Sequence, residues 1–297
     1  MPSLRRLFAP LLAFLLPACA PLDAAPASAE APYAGPALWE VSDKDTRIYL
    51  FGTVHALPKD KQWFFGPVAR AYDGSDELVT EIAMGDVAGD ASAIADRALL
   101  PEGQALRELM NGADRAQFEE ALVSLGLPVD AMDRFEPWYA AMTLSLLPVM
   151  RAGYDPQTGA EASLTTQAGG KKRDALETVE QQIELFDGLP LQAQLAFLDE
   201  TVESVPKAAS TLDAMVAKWL VGDADALAAL LNTELDDPVL YKRLLTDRNA
   251  AWAQWIGKRM QQPGTVFVAV GAGHLAGKGS VQDQLKKRGF RVRRVWR

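Results

Sequence analysis

Two apolar runs near opposite ends of the chain each lead straight into a glycine-led histidine motif. Thr265-Val266-Phe267-Val268-Ala269-Val270 is followed by Gly271-Ala272-Gly273-His274, and Arg47-Ile48-Tyr49-Leu50-Phe51 by Gly52-Thr53-Val54-His55. The later run is continuous and β-branched, the pattern of a strand buried on both faces. Leu38-Trp39-Glu40-Val41 and the run from Arg47 flank a Ser-Asp-Lys-Asp turn, which predicts a hairpin. A helix around Pro67 to Tyr72 and a strand Glu77 to Ile82 follow.

Between these ends, from about residue 87 to 262, apolar residues recur at helical spacing, as in Phe118-Leu122-Leu125, Ile183-Phe186 and Leu244-Ala251-Trp255. Glycine and proline punctuate the stretch at Pro101, Gly126-Leu127-Pro128, Gly188-Leu189-Pro190 and Gly222. One strand interrupts it, Asp174-Ala175-Leu176-Glu177. After Val270 come a helix from Val281 to Arg288, ended by Gly289, and a strand from Phe290 to Val295. The expected fold is α/β (α+β): one sheet assembled from the N- and C-terminal segments, with a large helical insert packed over it.

The N-terminus reads as an export signal. Arg5 and Arg6 precede the apolar run Leu7 to Leu16, and small residues and an Ala/Pro-rich tail follow to Pro36. The run is too short for a membrane span, and Pro10 and Pro17 argue against a buried helix. Leu16-Pro17-Ala18-Cys19 resembles a bacterial lipobox, which would make Cys19, the chain's only cysteine, a lipidated first residue. The rival is ordinary cleavage after Ala18-Cys19-Ala20 or near Ala27-Ser28-Ala29. The expected layout is a leader over 1–19, a disordered linker over 20–36 and one domain over 37–297. That domain is expected to be exported to the periplasm or outer membrane and to touch membrane only through Cys19.

With no cysteine beyond the leader, disulfides, thiolate metal sites and a cysteine nucleophile are excluded. A net charge of −9 argues against a nucleic-acid partner. The basic C-terminus alternates with Phe290, Val292 and Val295, which suits a half-exposed strand.

The chain has two histidines, His55 and His274, and both close the pattern Gly-x-x-His-x-x-x-Lys after a strand, with Lys59 and Lys278 as the lysines. Ligands bind outside the carboxyl ends of strands in open α/β sheets. Glycine there allows positive φ and close backbone approach. Imidazole is a common metal ligand and proton carrier. Glu81, at the end of a third strand, can reach the same rim, and two histidines with one carboxylate are a frequent catalytic metal set. The plainer alternative is two hydrogen-bonded structural histidines; the duplicated setting favours a shared site.

Five stretches resemble the TraB/GumN family: Gly52-Thr53-Val54-His55 with Leu38-Trp39 before it, Val268 to Gly277, Glu136-Pro137-Trp138, Leu176 to Gln182, and Arg248-Asn249-Ala250-Ala251-Trp252. The resemblance runs from about Leu38 to Val295. It implies a compact α/β fold related to the Tiki proteases, which are proposed metal-dependent peptidases. It also implies that His55, His274 and Glu81 form the metal centre. Other members have been linked to sequestering pheromone peptides, so membership alone does not fix an activity.

Arg248 is a candidate for orienting a carboxylate or stabilising an oxyanion, with a surface salt bridge as the alternative; Trp252 and Trp255 on a similar face disfavour exposure. Glu177 is a candidate ligand, partner of a ligand or general base, with a helix N-terminal carboxylate as the equal alternative. Asp155 reads as a turn residue, Trp138, Trp219 and Trp252 as core, and Lys59 and Lys278 as exposed. The favoured function is metal-assisted hydrolysis of an amide bond in a peptide or protein, with zinc, manganese or cobalt as the ion. Metal affinity is expected to fall as pH drops through the imidazole range near 6.5. The main rival is an anchored binding protein for a peptide, a metal or haem, without turnover. A role in envelope polysaccharide production ranks last.

Overall fold

Asp43 starts the architecture. Its carboxylate accepts from the backbone amides of Asp45 and Thr46, an Asx turn that reverses the chain. β1 (Leu38–Ser42) thereby folds back antiparallel on β2 (Thr46–Thr53). The computed structural model describes residues 33–83, 94, 97–234 and 238–296. The apolar leader, Cys19 and most of the expected linker lie outside the described residues.

Past the hairpin, α1 (Gly66–Asp73) leads into β3 (Glu77–Ile82), and β4 (Lys172–Glu177) comes from within the helical stretch. β5 (Gly264–Gly271) and β6 (Val292–Arg294) close the chain. The six strands form one sheet in the order β4-β3-β5-β2-β1-β6. β4, β3, β5 and β2 run parallel, while β1 is antiparallel to both β2 and β6. The sheet is thus assembled from both ends of the chain, with one edge strand supplied by the insert.

β5 lies between β3 and β2, and alternation sends its side chains to two separate cores. Phe267 and Ala269 pack with Phe51, Tyr72, Leu164 and Trp219 on one face. Val266, Val268 and Val270 pack with Ile48, Leu50, Trp252 and Ile256 on the other. A strand enclosed this way has no exposed face to alternate with, which is why the run is apolar throughout.

The longer helices of the insert among the described residues are α2 (Gly112–Ser124), α3 (Pro137–Arg151), α4 (Ala160–Gln167), α5 (Val179–Asp187), α6 (Leu191–Ser204), α7 (Ala208–Leu220) and α8 (Ala224–Glu234). α9 (Asp247–Arg259) and α10 (Val281–Lys287) cover the second sheet face. The insert does more than pack over the sheet. Phe118, Leu122, Leu144, Leu198 and Val202 from α2, α3 and α6 form a core of their own. α3 joins that core to the sheet, since Val149 near its end packs in the first-face core. Among the described residues, no helix is long and apolar enough to cross a membrane.

Candidate functional site

Strand register brings the sequence-predicted residues to one rim. Thr53 at the end of β2 pairs with Gly271 at the end of β5, and Ile82 of β3 pairs with Glu177 of β4. Parallel strands in register end together, and the carboxyl rim is where such sheets bind ligands. His55 lies just past β2, His274 in the short turn Ala272–Leu275 after β5, and Glu81 near the end of β3. A cleft of about 420 Å³ opens there and is lined by His55, Glu81, Arg248 and His274.

The glycines of the two motifs serve close approach; neither has positive φ. A Cβ on Gly52 would lie 3.0 Å from the Ala272 backbone, so the two histidine loops pack directly on each other. Trp219 Nε1 secures the contact by donating to the Gly52 carbonyl at 2.7 Å. A Cβ on Gly271 would lie 3.2 Å from Glu81 Oε1, 3.6 Å from His274 Cδ2 and 3.6 Å from His55 Nε2. A single methyl-sized position therefore borders all three candidate ligands.

His55 is oriented by α4. Gly159, just before that helix, packs against the His55 carbonyl, and the Ala160 amide donates to the Val54 carbonyl at 2.9 Å. This puts Glu161, in the first turn of α4, 2.7 Å from His55 Nδ1. The hydrogen bond to Glu161 holds the imidazolium and lifts its pKa to about 9, against the smaller effect of burial. The ring itself is open to the cleft, with 67% of the side chain exposed, so screening keeps the pair's contribution to stability small. The folded pKa lies above the ordinary 6.5, so that contribution is complete below about pH 6.5 and is lost as pH rises through about 9. An NMR titration of the ring protons will place the His55 midpoint near 9, and Glu161→Gln will return it towards 6.5. A midpoint that the substitution leaves in place would contradict the pairing.

His274 is held differently. It is buried, its ring centroid lies 4.3 Å from that of Trp252, and Nδ1 donates to Asn249 Oδ1 at 2.6 Å. The Asn249 amide is oriented in turn by donating to the Gly279 carbonyl at 3.0 Å. Burial pushes the His274 pKa well below the imidazole range, so the ring is neutral with its lone pair on Nε2. That lone pair accepts from Arg248 Nη1 at 3.0 Å.

Arg248 is the hub of the buried polar groups. From the first turn of α9 it donates through Nη2 to Glu81 Oε2 at 2.7 Å and through Nε to Glu177 Oε1 at 2.9 Å. Its guanidinium lies 4.7 Å from the Trp252 ring centroid, one helical turn on. Burial acts to raise the Glu81 carboxyl; nearby positive charge, Arg248 above all since His274 is neutral, outweighs it and holds the group ionised, as does the Gly271 amide donating at 2.6 Å. Gln182 donates to both Glu81 and Glu177.

The surface salt bridge that stood as the alternative for Arg248 does not form; its ion pairs with Glu81 and Glu177 are buried. Glu177, the first candidate for general base, has its oxygens taken by Arg248, Trp252 Nε1 and Gln182, which makes it an anchor for the arginine. The helix terminus beside it is capped by Thr178 and Gln181 instead. Asp155 forms a turn and pairs with exposed Lys59, and Trp138, Trp219 and Trp252 are core, the last two with hydrogen-bonding work as well.

Among the described residues, no three His, Cys, Asp or Glu side chains are gathered so as to hold a metal ion as they stand. His55, Glu81 and His274 share the rim without forming a closed coordination sphere. Arg248 gives the physical reason, since it occupies the His274 lone pair and an oxygen of Glu81. The chemistry of the donors nevertheless fits a divalent ion. Both imidazoles are fixed through Nδ1, the arrangement that leaves Nε2 to ligate, and the position beside Gly271 borders both rings and Glu81 Oε1. Thr53 Oγ1, buried in the cleft lining, has no hydrogen-bond partner among the described residues.

Glu161, Asn249, Gln182 and Thr53 were not singled out from the sequence. Three of them lie inside stretches that carried the family resemblance; Glu161 had no signal beyond its place after Gly159.

No solved structure matches the chain. An uncharacterized protein of Treponema pallidum is 26% identical over 84% of this chain and 80% of its own length. Uncharacterized protein YbaP of Escherichia coli is 25% identical over 86% of this chain and 93% of its own. Metalloprotease TIKI2 of Danio rerio is 24% identical over 82% of this chain, which spans 57% of that protein. The TraB/PrgY/gumN family model matches residues 37–294, so the strands, both histidine loops and the Arg248 network all lie within the match, and the chain belongs to the TraB/PrgY/gumN family.

Proposed function

We propose that the protein is a metal-dependent hydrolase of amide bonds in peptides. The observation that carries this reading is the convergence of His55, His274 and Glu81 around Gly271 at the carboxyl rim, with each imidazole anchored through Nδ1. The metalloprotease name of the Danio rerio relative supports it. His55 Nε2, His274 Nε2 and Glu81 Oε1 would hold a zinc, manganese or cobalt ion, a nitrogen and carboxylate set without thiolate. When bound, such an ion polarises the scissile carbonyl and lowers the pKa of water.

The chain's own residues do the rest. Glu161 and Asn249 fix the rings, and Arg248 keeps Glu81 ionised. Ligation by His274 would require Arg248 Nη1 to release the Nε2 lone pair, which would free that donor to steady a developing oxyanion. Export, and a lipid anchor at Cys19, are proposed from the leader alone; mass spectrometry of the membrane fraction will find an acylated Cys19 at the mature N-terminus, and an unacylated start beyond it would end that part.

The test of the activity is a peptide-library cleavage assay read by mass spectrometry. Cleavage is expected with metal added, lost with chelator and restored by the ion. Metal binding without cleavage would favour the reading as a peptide- or metal-binding protein.

A further inference from the structure

We infer that the cleft selects peptide segments rich in large apolar side chains. This rests on the proposed hydrolase reading and names its substrate class. Among the cleft's described lining residues, the ionisable side chains are confined to the rim: His55, Glu81, Arg248 and His274. The remaining wall is built largely from aliphatic side chains, among them Leu146 and Val149 of α3, Leu212 and Met215 of α7, Leu231 of α8, and Leu245.

The wall reaches the chemistry through one loop. A Cβ on Gly273 would lie 3.2 Å from Leu231 and 3.9 Å from Leu245, whereas one on Gly271 borders the three polar groups. Two residues of chain span at most about 7 Å, close to the distance from a peptide carbonyl to the end of its own side chain. A scissile bond beside Gly271 thus puts a neighbouring side chain against the leucines. A charged side chain there would lose its water and find no partner.

One further observation bears on the occupant. Met142, Leu146 and Met150 recur at four-residue spacing on α3 and are 43%, 41% and 48% exposed, so an adaptable apolar track leads outward from the cleft. A track of that length suits several apolar residues in succession, and the chain's net charge of −9 disfavours acidic ones.

The test is fluorescence anisotropy on the mature protein with chelator present, which separates binding from catalysis. A fluorescein-labelled peptide carrying three leucines should bind roughly ten-fold or more tightly than the same peptide with glutamates or lysines in their place. Leu146→Glu, at a half-exposed position, and Leu245→Glu should each abolish that preference. Equal affinity for the three peptides, no binding of the leucine peptide, or equal competition by a fatty-acyl probe would overturn the inference. Selective binding without cleavage on adding metal would uphold it while counting against the hydrolase reading. Cleavage of all three peptides with equal kcat/KM would do the reverse.

Discussion

Arg248→Met will destabilise the domain by about 3–5 kcal/mol, the cost of removing one partner from a buried ion pair. The side chains of Glu81 and Glu177 are only 9% and 12% exposed, and Arg248 is the cation that pairs with both. The methionine fills much of the volume but leaves two carboxylates buried together, so the loss comes from uncompensated charge. Glu81→Gln and Glu177→Gln in the same chain will recover most of it, because replacing a whole buried pair is far less costly than breaking one. Urea denaturation followed by tryptophan fluorescence measures both. A loss below about 1 kcal/mol for Arg248→Met would mean that the network is not as the hydrogen bonds show it.

The second large effect is on metal binding, and it separates ligands from the groups that orient them. His55→Ala and His274→Ala will each abolish measurable binding. Glu161→Gln and Asn249→Ala, which touch only Nδ1 of those rings, will weaken it by roughly 10- to 100-fold. His55 is open to the cleft and lies outside the apolar cores, so its alanine variant will keep the wild-type denaturation midpoint. The pH dependence follows from how the two rings are held. His274 is already neutral, whereas His55 carries its proton up to about 9. Affinity will therefore go on rising between pH 7 and 9, above the range near 6.5 expected of an ordinary imidazole. In Glu161→Gln that rise will move to lower pH. Equal losses in the two groups of variants would contradict the assignment of ligands and positioning residues.

Much of this arrangement was legible in the residues. The apolar run of β5 announced a strand buried on both faces, and the repeated glycine and histidine after two strands announced a shared rim. The sheet's assembly from both chain ends followed from strand patterns at the termini alone. The helical insert was legible as helices but not as a body with its own core. Periodicity shows that Phe118 and Leu122 face something, not that the partners are Leu144 and Leu198.

The site was legible where motifs repeat, and less so where a single residue acts through a contact made by folding. Glu161 reaches His55 only because Gly159 lets α4 dock on the histidine loop. Arg248 was visible as a candidate, yet its bond to His274 depends on where α9 crosses the rim. The contacts of Glu177 depend on folding in the same way. Its place at a strand end suggested chemistry, while the surrounding donors make it the arginine's anchor. The glycines were expected to allow positive φ and close approach; neither Gly52 nor Gly271 has positive φ, and the packing of Gly52 on Ala272 shows the close approach alone.

Isothermal titration of zinc, manganese and cobalt into the mature protein at about pH 8, beside His55→Ala and His274→Ala, tests the central claim most directly, because ligand imidazoles must bind unprotonated. The account predicts one ion per chain for at least one of these metals, and no binding by either variant. Absence of binding by the wild type, or binding that survives the loss of either histidine, would contradict it.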